Sequence, residues 1–542
     1  MRERVAAILI FLISAVLLVA GWRAFLFLCD DAYIAFRYVD HGWRGWGYCW
    51  NPAPFLPVEG YTSFLWVVLL HAVWALTGVE PPDSSNPLGL AFGLATLGIA
   101  AGMVWRLPVS PALARYRLPL LALALLGIVS NRTFLTWTSS GLETSLVTLW
   151  LVAWAAVALL GRPVEDRRHL FALASLASLL ALTRPDGYLY CLATVAVGLV
   201  RVWRVRPTSA DLAITLPFLL PLAHLVWRRA TYGLWLPNTY YAKHVSPWPQ
   251  VGLPYAGSFL LEYAYWIWVL VALAGLVLAV RAMGAARPEP TVVARAIGVA
   301  ALVGHVAYYV LLVGGDHFEF RIFQHLVPLL VVTLPWIADR LGLRPTRTLA
   351  LLALMIAIGL PIPWTHWVHT KDLTRDQSRK LRYEVARHFP LPVRWYAAAW
   401  DDLQHHVIGR FVGLRHQTHK TFLGYQLTRF PTREEGLALP TEDLPVYQHI
   451  SVGVPGWNMP TIPLIDEFGL SDRVIAGSPP RTTDPRKRYM AHDRRPPPGY
   501  VKCFDPNVRI TETGQVTIRK RTVPMTPERI RACEEKFLAE LP

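Results

Sequence analysis

Apolar stretches separated by short polar breaks run through the first two thirds of the chain, and their lengths predict its elements. Val5–Trp22 and Phe259–Val280 are each long enough, at about twenty residues, to cross a hydrocarbon core about 30 Å thick. The first run, roughly Val5 to Leu28, is too long for the apolar core of a signal peptide and ends in no small-residue cleavage site, so it reads as an uncleaved span. Phe64–Gly78, at about fifteen residues, fits either a short span or a helix lying along the interface. After a last span at roughly Leu349–Trp367 no run is long enough to cross, and residues 369–542 read as a separate globular domain.

Composition agrees with a membrane protein. Of 542 residues, 54% are hydrophobic and only 17% charged, against about 25% charged in soluble domains. The net charge of +16 raises the question of nucleic acid. Much of the excess, however, is arginine in short loops, where it orients helices instead. Arg2 and Arg4 hold the N-terminus in the cytoplasm. If Phe64–Gly78 is interfacial and the second span is about Leu88–Trp105, four later groups fall inside together: Arg106, Arg115 and Arg117; Arg162, Arg167 and Arg168; Arg201, Arg204 and Arg206; and Arg281, Arg287 and Arg295. Arg340, Arg344 and Arg347 join them. If Phe64–Gly78 crosses, all of these move outside, against the positive-inside bias. The charge pattern therefore predicts about eleven spans, an N-terminus in the cytoplasm and an extracytoplasmic C-terminal domain; that domain is expected to be of α/β class. Five cysteines are too few and too scattered for a disulfide scaffold or a CxxC metal site; the pairing this spacing allows is Cys29 with Cys49.

With the inside fixed, the outer loops collect the unusual polar residues. Asp30 and Asp31 directly follow an apolar helix, where carboxylates need solvent, a partner or a ligand. Neighbouring side chains diverge, so one can face a cavity as general base while the other takes a structural hydrogen bond; pairing with Arg37 is the plainer alternative. Glu59 lies in a turn-rich loop suited to a cavity mouth. Glu143 sits in the Asn131–Glu143 loop, and Thr183-Arg184-Pro185-Asp186-Gly187 forms a tight turn. There Arg184 suits a phosphate with Asp186 orienting it, or the two simply pair with each other. Asn238, Tyr240, Lys243 and His244 combine an amide, an aromatic face and cationic groups suited to a sugar phosphate, although a snorkelling lysine beside interfacial tyrosines looks similar. Gly314-Gly315-Asp316-His317 ends one span and Arg321 begins the next, placing Asp316 and Arg321 near one cavity. A lone His317–Asp316 pair is a weak metal signal, and no HExxH, cysteine cluster or P-loop pattern occurs. Critical polar groups at span ends, not in broken helices at the bilayer midplane, favour chemistry at the outer interface on a lipid-borne substrate.

These residues resemble a known family. Asp30 through Tyr38, with Val58-Glu59-Gly60-Tyr61-Thr62-Ser63 and Leu65-Trp66, is similar to the first outer loop of the mycobacterial terminal β-(1→2)-arabinofuranosyltransferases and their bacterial relatives. Gly141-Leu142-Glu143, the turn at 183–187, Pro237 through Lys243, and Gly314-Gly315-Asp316 with Arg321 resemble further blocks. So do Ile465-Asp466, Gly469-Leu470-Ser471-Asp472, His492, Arg494 and Pro498-Gly499-Tyr500. The resemblance implies a GT-C fold: a polytopic helical domain over 1–368, with an interfacial helix and an aspartate in its first outer loop, and an extracytoplasmic domain over 369–542.

It also implies a glycosyltransferase of the plasma membrane that takes a sugar, arabinofuranose first among the choices, from a polyprenyl-phosphate donor. Arg184, Lys243 and Arg321 would neutralise the phosphate. Asp30 or Asp31 would deprotonate the acceptor, with inversion, and Glu143, Asp186 and Asn238 would position sugar hydroxyls or the cations. The acceptor is a glycan, a lipid-linked glycan or a protein. No cofactor is required, a divalent metal is compatible, and nucleic acid is not expected as a partner. A mannosyl or related transferase and a non-catalytic flippase of lipid-linked sugars are the competing readings.

Overall fold

The computed structural model describes residues 2–541 apart from 207, 244–245, 283–287 and 483. Among the described residues, six helices are long and apolar enough to cross a membrane: Arg2–Ala24, Pro81–Arg106, Asp211–Tyr232, Pro290–Val313, Arg321–Arg340 and Pro345–Thr370. Pro249–Glu262 and Trp266–Arg281, bent by 100° at a short break, make a seventh candidate. The remaining apolar helices are shorter and include Phe64–Thr77, Arg117–Val129 and Thr144–Leu160, with Arg167–Thr183 and Tyr188–Arg204 beside them. Their outward faces are apolar. Ile8, Leu12, Ile13 and Val16 of the first helix are exposed while Ser14 and Leu18 turn inward, the arrangement lipid requires. Ser14 satisfies its hydroxyl on the Ile10 carbonyl.

The chain between the first helix and the helix Asp30–Trp43 is stitched to the loop before Thr144. Cys29 N–H donates to the Ser140 carbonyl (3.1 Å), and Ser140 N–H donates to the Phe27 carbonyl (2.9 Å). Gly141, at φ +78°, lies against Leu28 and Ala32, where a Cβ would come within 2.7 and 2.9 Å. This seam brings Asp30 and Asp31 beside the loop that carries Glu143. Arg37, fully buried, donates to the carbonyls of Trp50, Gly456, Met459 and Ile462. It therefore ties the first outer loop to the tail and is not the partner of Asp30 or Asp31.

The tail holds four short strands among helices. Tyr447–His449 pairs in parallel with Leu464–Asp466, Tyr447 opposite Leu464; Val508–Ile510 pairs antiparallel with Val516–Ile518. The segment that follows Thr370 packs directly on the membrane helices. Val393–Ile408 lies against Pro249–Glu262, and Arg415 bonds both Glu262 (2.7 and 3.1 Å) and Glu319 (2.5 Å). Arg132 completes this buried group through Glu319 (3.3 Å) and Gln417 (3.0 Å). The cysteine expectation is corrected here. Cys503 and Cys533 form the disulfide, with Cα atoms 5.9 Å apart, whereas Cys29 and Cys49 are free. The two free cysteines flank the helix Asp30–Trp43, and each thiol donates to a nearby carbonyl, Ser140 and Trp46 respectively.

Candidate active site

The helix that begins at Asp30 sends its first two carboxylates in different directions, because successive residues are turned by about 100°. Asp30 is buried, and its Oδ1 accepts the Val454 N–H at 2.9 Å. Burial pushes its carboxyl up to about 7 against that hydrogen bond. Asp31 is half-buried and lies within electrostatic reach of Lys243, His317 and His492. The structure thus separates a fastening aspartate from one that faces charged and titratable groups.

Lys243, in electrostatic reach of Asp31, is also in reach of Arg184 and Arg321, and each of the three cations is supplied by a helix end. Arg184 follows Arg167–Thr183 and is held on three sides: Nη1 donates to Glu143 Oε1 (2.7 Å), Nε to Asp186 Oδ1 (3.1 Å) and Nη2 to the Tyr309 hydroxyl (2.7 Å). The Tyr309 hydroxyl donates in turn to Asp186 Oδ2 (2.8 Å). Burial would raise the Asp186 carboxyl, but Arg184 and His305 outweigh it and hold it at about 2. Arg321 follows Phe320, which takes a left-handed φ of 45°. Its guanidinium is fixed by Asp316 (2.8 and 3.3 Å) and lies 4.4 Å over the Phe318 ring. Lys243 ends the helix Asn238–Lys243. Lys243 is exposed to solvent, and its ammonium lies within electrostatic reach of Asp31, Asp316, Arg321 and Arg184. Arg184, Asp186, Tyr309 and Arg321 line one cavity.

Other expected residues lie elsewhere. Glu59 is buried against Arg228 (2.6 and 3.1 Å); burial raises its carboxyl to about 7 although Arg228 opposes this. The Asn238 amide donates to the carbonyls of Gly469, Leu470 and Asp472, while its N–H donates to the Glu59 carbonyl. Asn238 therefore joins the loops around 59 and 470, while the Glu59 carboxylate is taken by Arg228. Tyr240 packs edge-on against Tyr241, centroids 5.5 Å apart. His244 lies outside the described residues.

The sequence pattern did not bring out the imidazoles around Asp31. His317 packs against His419 and His492, with centroids 5.4 and 5.3 Å apart, and its Nδ1 bonds the Phe411 carbonyl at 2.9 Å. Burial pushes both His317 and His492 below the ordinary range, so they are neutral at pH 7. No periodicity could reveal a group drawn from residues this far apart; the adjacency of His317 to Asp316 and the place of His492 in a resemblance block were the hints, and His419 had none. Among the described residues no three histidines, cysteines or carboxylates are grouped to hold a metal ion. The arrangement can seat a phosphate among three cations and present Asp31 as a proton acceptor on the side nearest Lys243.

Comparison with known proteins gives relatives consistent with this chemistry. No family model matches the chain. It is 31% identical over 271 residues to a terminal β-(1→2)-arabinofuranosyltransferase of Mycobacterium tuberculosis, covering 47% of this chain and 41% of that protein. It is 29% identical over 346 residues to a protein of the same name from Corynebacterium glutamicum, covering 58% and 48%. The match thus spans less than half the length of either curated relative. Among solved structures, ArnT from Cupriavidus metallidurans bound to undecaprenyl phosphate matches with a TM-score of 0.51 and 13% identity, over 89% of this chain and 88% of that one. At that identity the likeness shows the fold alone, a multi-helix membrane architecture shared with that protein.

Proposed function

We propose that the chain is a membrane glycosyltransferase that moves a sugar from a polyprenyl-phosphate donor to an acceptor hydroxyl at the outer face of the plasma membrane. The observation that carries this reading is the convergence on Lys243 of Asp31 with Arg321 and Arg184, the three cations all at helix ends. The names of the two curated relatives favour arabinofuranose as the sugar and a glycan as the acceptor. The ligand named for the structural neighbour favours a polyprenyl carrier.

In this reading the lipid phosphate rests on the cations, with Glu143, Asp186, Tyr309 and Asp316 fixing the two guanidiniums in place. Asp31 takes the acceptor's hydroxyl proton. The acceptor oxygen then bonds the anomeric carbon as the bond from that carbon to the phosphate oxygen breaks, inverting the centre. The electron pair stays on the phosphate, whose growing charge Arg184 and Arg321 stabilise. Asp30 serves as the fastener of the helix start. A phosphate monoester leaves, so the reaction requires no cofactor and remains compatible with a divalent cation.

For topology we propose the eleven-span arrangement with a cytoplasmic N-terminus and an α/β tail domain outside. The Cys503–Cys533 disulfide supports an oxidising location for the tail, independently of the arginine loops.

The test is sugar transfer from polyprenyl-phosphate arabinose in membranes carrying Asp31→Asn or Asp30→Asn. Asp31→Asn should lower transfer by about 10²–10⁴-fold while the donor still binds. Normal transfer by Asp31→Asn overturns the base assignment. Mass spectrometry of envelope glycans from a strain lacking the protein then names the sugar and the acceptor.

A further inference from the structure

Against Arg184 and Arg321, among the ends of the helices Thr144–Leu160, Pro290–Ala307 and Leu326–Arg340, lies a pocket whose roughly 310 Å³ of atom-free space includes open solvent. Its wall includes Thr144, His305 and His325, which are 7%, 4% and 2% exposed. Each carries a buried polar atom with no partner in the protein: Thr144 Oγ1, His305 Nδ1 and His325 Nε2. Such orphans are rare in native interiors, and here three of them line one space. The two imidazoles meet edge to face, 5.1 Å apart, and His305 Nε2 is 3.8 Å from Asp186 Oδ2. Thr144 opens its helix directly after Glu143, the carboxylate that holds Arg184, so the positive end of that helix also points at the space.

Position decides what such a space receives. Asp31 interacts with Lys243, His317 and His492, whereas Arg184 and Arg321 line the cavity itself. A sugar undergoing attack must lie beside Asp31, so the group seated among the arginines is the phosphate. Resting on the lipid-phosphate reading above, we infer that Thr144 Oγ1 and His325 Nε2 supply the donors of a pocket for the leaving phosphate, complementary to a phosphate monoester more than to the phosphodiester of the donor. In the donor, one phosphate oxygen is bonded to the sugar. When that bond breaks, its electron pair stays on the oxygen, the proton of the acceptor hydroxyl goes to Asp31, and the phosphate gains a third terminal oxygen and a second negative charge. Hydroxyl and imidazole N–H donors aimed at that oxygen are satisfied fully only then, which places their interaction energy in the transition state and product.

The experiment uses the full chain in nanodiscs at pH 8, where a phosphate monoester with a second pKa of about 6 is a dianion. The probes are farnesyl phosphate, a monoester, and farnesyl methyl phosphate, a diester, with binding measured by titration calorimetry. Wild type should prefer the monoester by about tenfold or more. Because the arginines alone favour a dianion, the deciding quantity is the ratio in variants. Thr144→Val and His325→Gln should each reduce the preference to about threefold or less, and Thr144→Ser, which keeps the hydroxyl, should retain it. An unchanged ratio in folded Thr144→Val and His325→Gln overturns the inference, as does equal binding of the two probes by wild type. If wild type binds neither probe, the lipid-phosphate reading of Arg184 and Arg321 falls as well.

Discussion

Removing one carboxylate from the buried charge group beneath the tail should unfasten the tail from the membrane helices. Glu319 is fully buried and accepts from Arg415 at 2.5 Å, from Arg132 at 3.3 Å and from the His416 N–H at 3.3 Å. Glu319→Gln keeps the shape and deletes the charge. Arg415 retains Glu262 at 2.7 and 3.1 Å, so the imbalance falls on Arg132. Its remaining partners carry no formal negative charge: Gln417 Oε1, the Pro363 carbonyl, His366 Nδ1 and His416 Nδ1. Breaking one partner of a buried ion pair costs about 3–5 kcal/mol, and the neutral contacts left to Arg132 place the expected loss near 3 kcal/mol, the lower end of that range. Equilibrium unfolding in mixed detergent reads the loss, and limited proteolysis after Thr370 reads where it acts. Adding Arg132→Met restores neutrality, so the double variant should recover most of the loss instead of summing two penalties. A cost for Glu319→Gln below about 1 kcal/mol, or a double variant as unstable as the sum of the singles, refutes the reasoning.

Burial raises Asp472 to about 7 and Glu534 to about 8, so the folded tail holds protons that the unfolded chain releases above about 4. Stability from these neutral acids is complete below that range and is lost as pH rises toward 7–8; Glu534→Gln should flatten the fall in melting temperature measured between pH 5.5 and 8. The Cys503–Cys533 bond closes a loop with a separation of 30 residues, and Cys503→Ser should lower stability by about 3–4 kcal/mol. A reducing agent should reproduce that loss in wild type and add nothing in the variant, since the other described cysteines are already free. Single cysteines placed at Arg115 and Asp316 should react with a membrane-impermeant maleimide from opposite sides; labelling from the same side breaks the eleven-span arrangement.

The parts of this molecule that sequence discloses are those fixed by local physics. Apolar runs are legible because a backbone in lipid must satisfy its own hydrogen bonds within a helix. The Arg184–Asp186 and Arg321–Asp316 pairs are legible because their members lie two and five residues apart. Arg132, Glu262, Glu319 and Arg415 are not, since their bonds join residues 96 to 187 positions apart, and no hydrophobic period marks a buried charge whose partner is distant. The Cys503–Cys533 pairing is similarly closed to inspection, because connectivity does not follow from spacing.

The same limit governs the pair at the centre of the proposed chemistry. Adjacent aspartates look interchangeable as letters, and the turn of the helix only says that they diverge. Which one is withdrawn depends on Val454, whose N–H bonds Asp30 across 424 residues. It depends also on Gly453, where a Cβ would come within 1.9 Å of the Asp30 carbonyl oxygen. The tail therefore takes part in assigning roles at the membrane surface: it occupies Asp30, which leaves Asp31 to face the cations, and it supplies His419 and His492 to the group around His317. A tail that only recruited an acceptor would leave the division between Asp30 and Asp31 intact when loosened. Here loosening it strips Asp30 of the Val454 N–H and takes His419 and His492 from the group around His317, so transfer by Asp31 should fall along with acceptor use.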